Sequence, residues 1–281
     1  EASYSLGQAL YGARDLNLAA GPAFTLASED GRPVYVPLGS IVPTTGATTV
    51  LASRQHPQFG QVLEATSNLA SRTAQLTATL NGSALRGLLW NLSYTFMRSS
   101  DETGFSAGFG GGGRGGLSTG AATTGGDPNV VEWGRSDLER RHMLVGSGTW
   151  LVRPWLDLTS VVRITSGTPY TPRVGSDING DGSRNDRAFV YDPASAPDTA
   201  LANGMARLLA DASPGVRACL SSQLGEIAGR NSCTAGWTPS LDLQANIRPR
   251  FGGYVARRLV LNVSFVNPLA GVDRLLHGQR G

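Results

Sequence analysis

Lysine is absent from the chain, so all 24 basic residues are arginine, and against 21 acidic residues they leave a net charge of only +3. The arginines are scattered. The basic stripe that would track a phosphate backbone is missing, and a nucleic-acid partner is not expected. Charged residues make up 16%, below the roughly one quarter usual in soluble globular chains. Long hydrophobic runs are missing too: no window approaches the 18 or so consecutive apolar residues of a transmembrane helix. Any membrane crossing would have to use strands. The three histidines, His56, His142 and His277, stand apart with no metal-ligand spacing. No GxSxG element marks a nucleophile. Carboxylates such as Asp101, Glu102 and Glu139 are not paired for acid/base chemistry. No enzymatic activity is expected. Residue 1 is Glu, with no charged or apolar leader behind it, so a targeting peptide is expected to lie outside this stretch or to have been removed.

What is present is glycine, 37 residues of it, with 40% hydrophobic residues, a balance that suits a strand-rich, loop-rich chain. The strongest pattern has period two, the mark of a strand with two chemically different faces. Ala74, Leu76, Ala78 and Leu80 interleave with Thr73, Gln75, Thr77 and Thr79. Trp90, Leu92, Tyr94 and Phe96 interleave with Asn91, Ser93 and Thr95. Leu241, Leu243, Ala245 and Ile247 enclose Asp242, Gln244 and Asn246. With similar runs elsewhere, the pattern predicts seven antiparallel strands near residues 3–11, 71–82, 87–98, 141–152, 155–166, 239–248 and 257–267. Leu89, Met97, Val145, Leu151, Val161, Val260 and Val266 are apolar residues that this assignment puts on the polar side.

Each run is about ten residues, enough for a tilted strand to cross a bilayer. Short links near 82–86, 152–155 and 249–256 alternate with long ones at 12–71, 99–141 and 167–239. Short turns on one side and long loops on the other are the layout of outer-membrane barrels, whose long loops are extracellular. The expected fold class is therefore all-β: part of an antiparallel transmembrane β-barrel, open over this stretch. The competing reading is a soluble β-sandwich with one buried face per sheet.

Several segments resemble the Oar-like family of TonB-dependent receptors. Ser166-Gly-Thr-Pro-Tyr-Thr-Pro172 and Asp177-Ile-Asn-Gly-Asp-Gly-Ser-Arg-Asn-Asp-Arg-Ala188 are similar to the late-barrel region of that family. Arg14-Asp-Leu-Asn-Leu18, Gly31-Arg-Pro-Val-Tyr-Val-Pro37, Ser93-Tyr-Thr-Phe96 and Arg140-Arg-His-Met143 before them, and Gly229-Arg-Asn-Ser-Cys233, Asn267-Pro-Leu-Ala-Gly271 and Leu275-Leu-His-Gly278 after them, support the resemblance in order along the chain. The resemblance implies a barrel of about 22 strands, filled by an N-terminal plug and energised by the TonB complex through a periplasmic box. Residues 1–281 would then be part of the barrel domain, with plug, box and final strand outside them. It also implies an outer-membrane location, contact with outer-membrane lipid and an extracellular ligand whose identity the sequence does not give. The alternatives are a secreted, soluble calcium-binding β-protein such as an adhesin module, and a hydrolase embedded in the barrel.

Three local features belong with this reading. The tract Gly108 to Gly116 contains GxGxxG at Gly108, Gly110 and Gly113, but no helix pattern follows, and a flexible loop tip is expected instead of a nucleotide site. Cys219 and Cys233 fall in one long loop, which in an outer-membrane protein faces an oxidising space, so they are expected to pair. The helix-like spacing of 201–209 and 216–227 suggests that the bridge staples a small helical cap. Finally, Asp177, Asn179, Asp181, the Ser183 carbonyl and Asp186 offer oxygens at alternate positions around Gly182, as a calcium loop does. Ala188 stands where the closing Glu of an EF-hand belongs. Calcium is the only cofactor suggested, and a set of Asx turns closing on its own backbone is the other reading.

Overall fold

A computed structural model describes residues 1–83, 87–102, 106–107, 119–120, 124–249, 253–256 and 258–277. The expected glycine-rich loop tip at 108–116 lies outside the described residues. The principal sheet is built from β1 (Ala2–Asp15), β2 (Leu63–Ser83), β3 (Leu88–Glu102), β4 (His142–Arg153), β5 (Leu156–Thr165), β6 (Thr238–Ile247) and β7 (Leu261–Phe265). Their order in the sheet is their order in the chain, every pairing is antiparallel, and the sheet is not closed. Trp133–Arg135 adds a short strand to the outer end of β3. Among the described residues, no helix is long and apolar enough to cross a membrane.

Register explains why the period-two pattern is legible. Because directly opposed residues share a face, Leu76 meets Phe96, Ala78 meets Tyr94 and Leu80 meets Leu92. The apolar face continues through Tyr94 opposite Leu144, Trp150 opposite Leu158, and Val162 opposite Leu241. It ends with Leu243 opposite Phe265. Tyr4, Leu6, Leu76, Leu80, Leu92, Trp150, Leu158, Leu243 and Phe265 are all exposed, Leu80 to 62%. A soluble sandwich would bury this face.

The opposite face is joined by hydroxyls. Thr73 and Ser99 lie 2.8 Å apart, Thr77 and Thr95 3.1 Å, and Thr149 and Thr159 3.3 Å. Five of the off-pattern apolar residues fall on this side: Val145 opposes Arg163, Val161 opposes Ser147, Met97 opposes Gln75, Leu151 opposes Asp157 and Leu89 opposes Ser83, whereas Val260 and Val266 lie outside the last strand. At the turn end of this face, the Arg248 guanidinium donates to Asp157 over 2.9 Å.

Several element boundaries differ from the sequence expectation, β3 among them, which runs on to Glu102. Strands β1 and β2 run on to Asp15 and back to Leu63, through a stretch where bulges between Gly7, Leu10 and Gly12 break the alternation. Strand β7 is short, pairing only against Leu243 to Ile247. The helix expected over 216–227 ends at Ser221, and turns carry the chain on to Gly225, whose φ of 81° is incompatible with a helix continuing to 227. What forms is α1 (Thr199–Asp211), capped by the Asp198 carboxylate accepting from the Leu201 amide, and α2 (Pro214–Ser221), begun by a proline at its start. A further helix, α3 (Pro268–His277), follows β7 where the sequence pattern showed only a family motif.

The two faces make opposite demands on a substitution. A charge on the lipid side near mid-depth costs about 2 to 4 kcal/mol. In the intact protein Leu243→Arg should therefore cut the folded fraction in outer membranes, read by heat-modifiable gel mobility, far below that of Gln244→Arg. Equal losses would mean that the faces are interchanged.

Candidate functional site in the long-loop layer

The long loops, at 16–62, 103–141 and 166–237, hold most of the molecule's core. Leu18, Val34, Tyr35, Val36, Val190, Ala228 and Cys233 are buried in them, and Leu69 at the outer end of β2 is buried beneath. This is an inversion of a soluble β-protein, where the sheet would supply the core and the loops the surface.

Buried charges tie the loops to one another and to the strands. Arg54, from the first loop, pairs with Asp15 at the end of β1 and donates to the Asp181 carbonyl of the third loop at 2.7 Å. Arg32 donates to Glu29 at 2.6 Å and to the Arg187 carbonyl at 2.7 Å, with Asp186 3.5 Å away. The Tyr191 hydroxyl donates to Glu29 at 2.9 Å. The second loop enters through Asn179, whose side-chain amide donates to the Gly126 carbonyl at 2.9 Å, and through Thr124, which bridges to Asn185 and Arg187 by backbone hydrogen bonds. Arg230 pairs with Asp101 at the top of β3. The Asn231 amide donates to the Arg135 carbonyl at 2.7 Å and to Asp137 at 2.6 Å.

The electrostatics follow from this burial. Burial raises Glu139, but the Ser99 amide and the Arg135 and Arg141 guanidiniums outweigh it, leaving its carboxyl below the usual range. For Asp181, burial is the largest influence; despite the Ser183 amide it pushes the carboxyl up to about 6, with Asp177 adding repulsion. Burial, then the Asp127 carboxylate, pushes the Tyr35 phenol up to about 12.

The five residues read from the sequence as a calcium loop fall in one short stretch, and the side chains of Asp177, Asn179, Asp181 and Asp186 each accept from the loop's own backbone amides, the second Asp186 oxygen facing Arg32 at 3.5 Å. Asp177 accepts from the Gly180 and Gly182 amides at 2.7 and 2.8 Å. Asn179 accepts from the Asp181 amide at 2.9 Å, and Asp181 from Ser183 at 2.6 Å. Asp186 accepts from Ile178 at 2.7 Å. Glycine is needed at position 182, where φ is 89° and a Cβ would come within 2.8 Å of the Arg54 guanidinium. Among the described residues, no group of three or more His, Cys, Asp or Glu side chains is placed to hold a metal. The geometry is that of nested Asx turns.

Cys219 of α2 and Cys233 are joined in a disulfide with Cα atoms 5.5 Å apart. The bridge pins the helical cap of α1 and α2 to the short strand Cys233–Thr234, which pairs with Pro169–Tyr170 at the start of the same loop. A ring of this size contributes on the order of 3 kcal/mol in the chain-entropy view.

A period-two sheet with its apolar face outside, no helix among the described residues long and apolar enough to cross a membrane, and loops packed on one side agree with what the comparisons find: the family described as outer membrane beta barrel domain matches residues 3–246. The chain belongs to this family. It is an outer-membrane β-barrel protein, and the soluble β-sandwich alternative is set aside. No curated protein and no solved structure matches the chain. The matched span covers β1 through nearly all of β6, so both barrel strands and loop layer fall within the family's domain.

Two tests apply to this layer. Arg54→Met leaves Asp15 buried without its partner, a loss of about 3 to 5 kcal/mol in comparable buried pairs. The loops of the intact variant should accordingly be cleaved by external protease at concentrations the parent protein resists. Unchanged resistance would mean that the pair does not hold the layer. The second test addresses the turn at Asp177. If it is closed by its own amides, calcium titrated calorimetrically into chelator-treated intact protein should give the same heats as into an Asp177→Ala, Asp181→Ala variant. A saturable heat lost in the variant would establish a cation there.

Proposed function

We propose that this outer-membrane barrel is part of a TonB-dependent receptor that captures an extracellular ligand with its long-loop layer and imports it with energy supplied through the TonB complex. The observation that carries the reading is the loop layer itself. Three loops joined by buried ion pairs and hydrogen bonds, the third stapled within itself by a disulfide, form a shaped surface, and ordering so much loop costs conformational entropy that a simple diffusion pore or membrane anchor would not need. The resemblance of the Ser166 to Pro172 and Asp177 to Ala188 segments to Oar-like receptors supports the same reading. In this account the exposed apolar face is covered by outer-membrane lipid, and the TonB contact lies in an N-terminal part outside these residues. The protein binds and transports; it catalyses no reaction. The ligand class stays open among chelated iron, glycans, peptides and cobalamin.

The test is genetic. Loss of the whole gene and loss of TonB should produce a shared growth or uptake defect on at least one member of a panel of those nutrients, restored by the intact gene. A defect caused by loss of the gene but absent without TonB would refute energised import and favour passive permeation or adhesion.

A further inference from the structure

The apolar face of the sheet carries two arginines that membrane burial alone does not explain. Arg72 opposes Ser100, and Arg98 opposes Ala74, the neighbouring position on the same face. Both are exposed, and no ion pair among the described residues includes either. The Arg72 guanidinium instead lies over the ring of Trp133, 5.1 Å from its centroid, reaching across β3 to the short strand that extends it. An unpaired arginine is costly at bilayer mid-depth and nearly free at the boundary, so the pair marks a depth.

That depth can be located. Trp90 and Trp150 occupy the turn end of the apolar face, opposite Gly148 and Leu158. Arg98 is eight residues along β3 from Trp90, about 27 Å of strand and about 20 Å of depth at a tilt of about 40°. Barrels of this kind have an apolar band about 25 Å tall. The arginines therefore sit at the loop-side boundary. Aromatic groups gather at the same level: the Tyr94 hydroxyl is 2.8 Å from His142 Nδ1, and the His142 ring stacks on Trp237 at 5.8 Å. Tryptophan and tyrosine rings prefer the headgroup region.

We infer that Arg72 and Arg98, backed by Trp133, form a binding site for the phosphate of a phosphorylated lipid headgroup in the loop-side leaflet. Charge complementarity selects the occupant. Two arginines at neighbouring positions of one face, without carboxylate partners among the described residues, match a phosphate in charge, while the apolar wall below them, Ala74, Leu76 and Phe96, receives acyl chains. A free anion would use only the first half of this arrangement. The stack on Trp133 limits the positions open to Arg72, so less freedom is lost when a phosphate arrives.

The test uses the intact protein in phosphatidylcholine nanodiscs doped with bisphosphoryl lipid A or with its dephosphorylated form, and native mass spectrometry counts the glycolipid that stays bound in detergent. The parent protein should retain the bisphosphoryl form preferentially. Arg72→Gln with Arg98→Gln should lower retention by about tenfold or more, taking about one kcal/mol for each arginine near a membrane surface. Arg72→Lys with Arg98→Lys should keep most of it, and millimolar inorganic phosphate should not displace the lipid. Equal retention of the two lipid forms by the parent protein would overturn the inference even if the Gln variant failed to fold. Undiminished retention by a folded Gln variant, or displacement by inorganic phosphate, would overturn it as well.

Discussion

A chain that crosses hydrocarbon must satisfy every backbone N–H and C=O from within, because no water is present to do so, and here that duty falls on ladders between neighbouring strands. The pairing of β2 with β3 runs from Ser71 opposite Asp101 to Ser83 opposite Leu89 without a break, and that of β5 with β6 covers all of Leu156 to Thr165. Once the register is held, every side chain is assigned to one face or the other, since a slip of one residue would exchange them all. The exposed leucines, the hydroxyl pairs and the arginines at the boundary all take their meaning from that ladder.

The same constraint explains where the core went. A sheet with lipid on one side does not need to bury its apolar face in protein, so the residues buried in protein gather instead in the loops, around Val34, Val36 and Val190. Loops of this length would otherwise remain disordered or become targets for proteases. Arginine holds them together, through Arg32, Arg54 and Arg230. Its fork of donors can bond a carboxylate and a carbonyl at once, as Arg54 does with Asp15 and Asp181. Such buried pairs are poor sources of net stability, yet losing one partner is strongly destabilising because the other charge is left buried and unpaired.

The disulfide and the two helices act at a different place in the layer. They fix the far end of the third loop, whereas the turn at Asp177 fixes its near end against Arg54 and Val36. Between them the loop is anchored at both ends over the top of β3 and the second loop, through Arg230 and Asn231. A surface so anchored is preformed, the property that ligand capture by a receptor of the proposed kind would use.

The sequence by itself determined the strands and their faces. Alternation at Ala74 to Leu80, Trp90 to Phe96 and Leu241 to Ile247 reports directly on two unlike environments, and a local period is visible wherever those environments are constant along a strand. It also indicated the cysteine pair and a helical cap over 201–209 and 216–227, the second of which ends earlier, at Ser221. Where β1 bulges, the period is lost, and the extensions to Asp15 and Leu63 could not be read. Only the tertiary structure decided the loop layer: Arg54 meets Asp15 across 39 residues and Asp101 meets Arg230 across 129. Pairings of that span have no period and no fixed spacing. The tertiary structure also places side-chain oxygens of Asp177, Asn179, Asp181 and Asp186 against the loop's own amides, an arrangement the sequence did not display because Asn, Asp and Gly serve turns and cation cages equally.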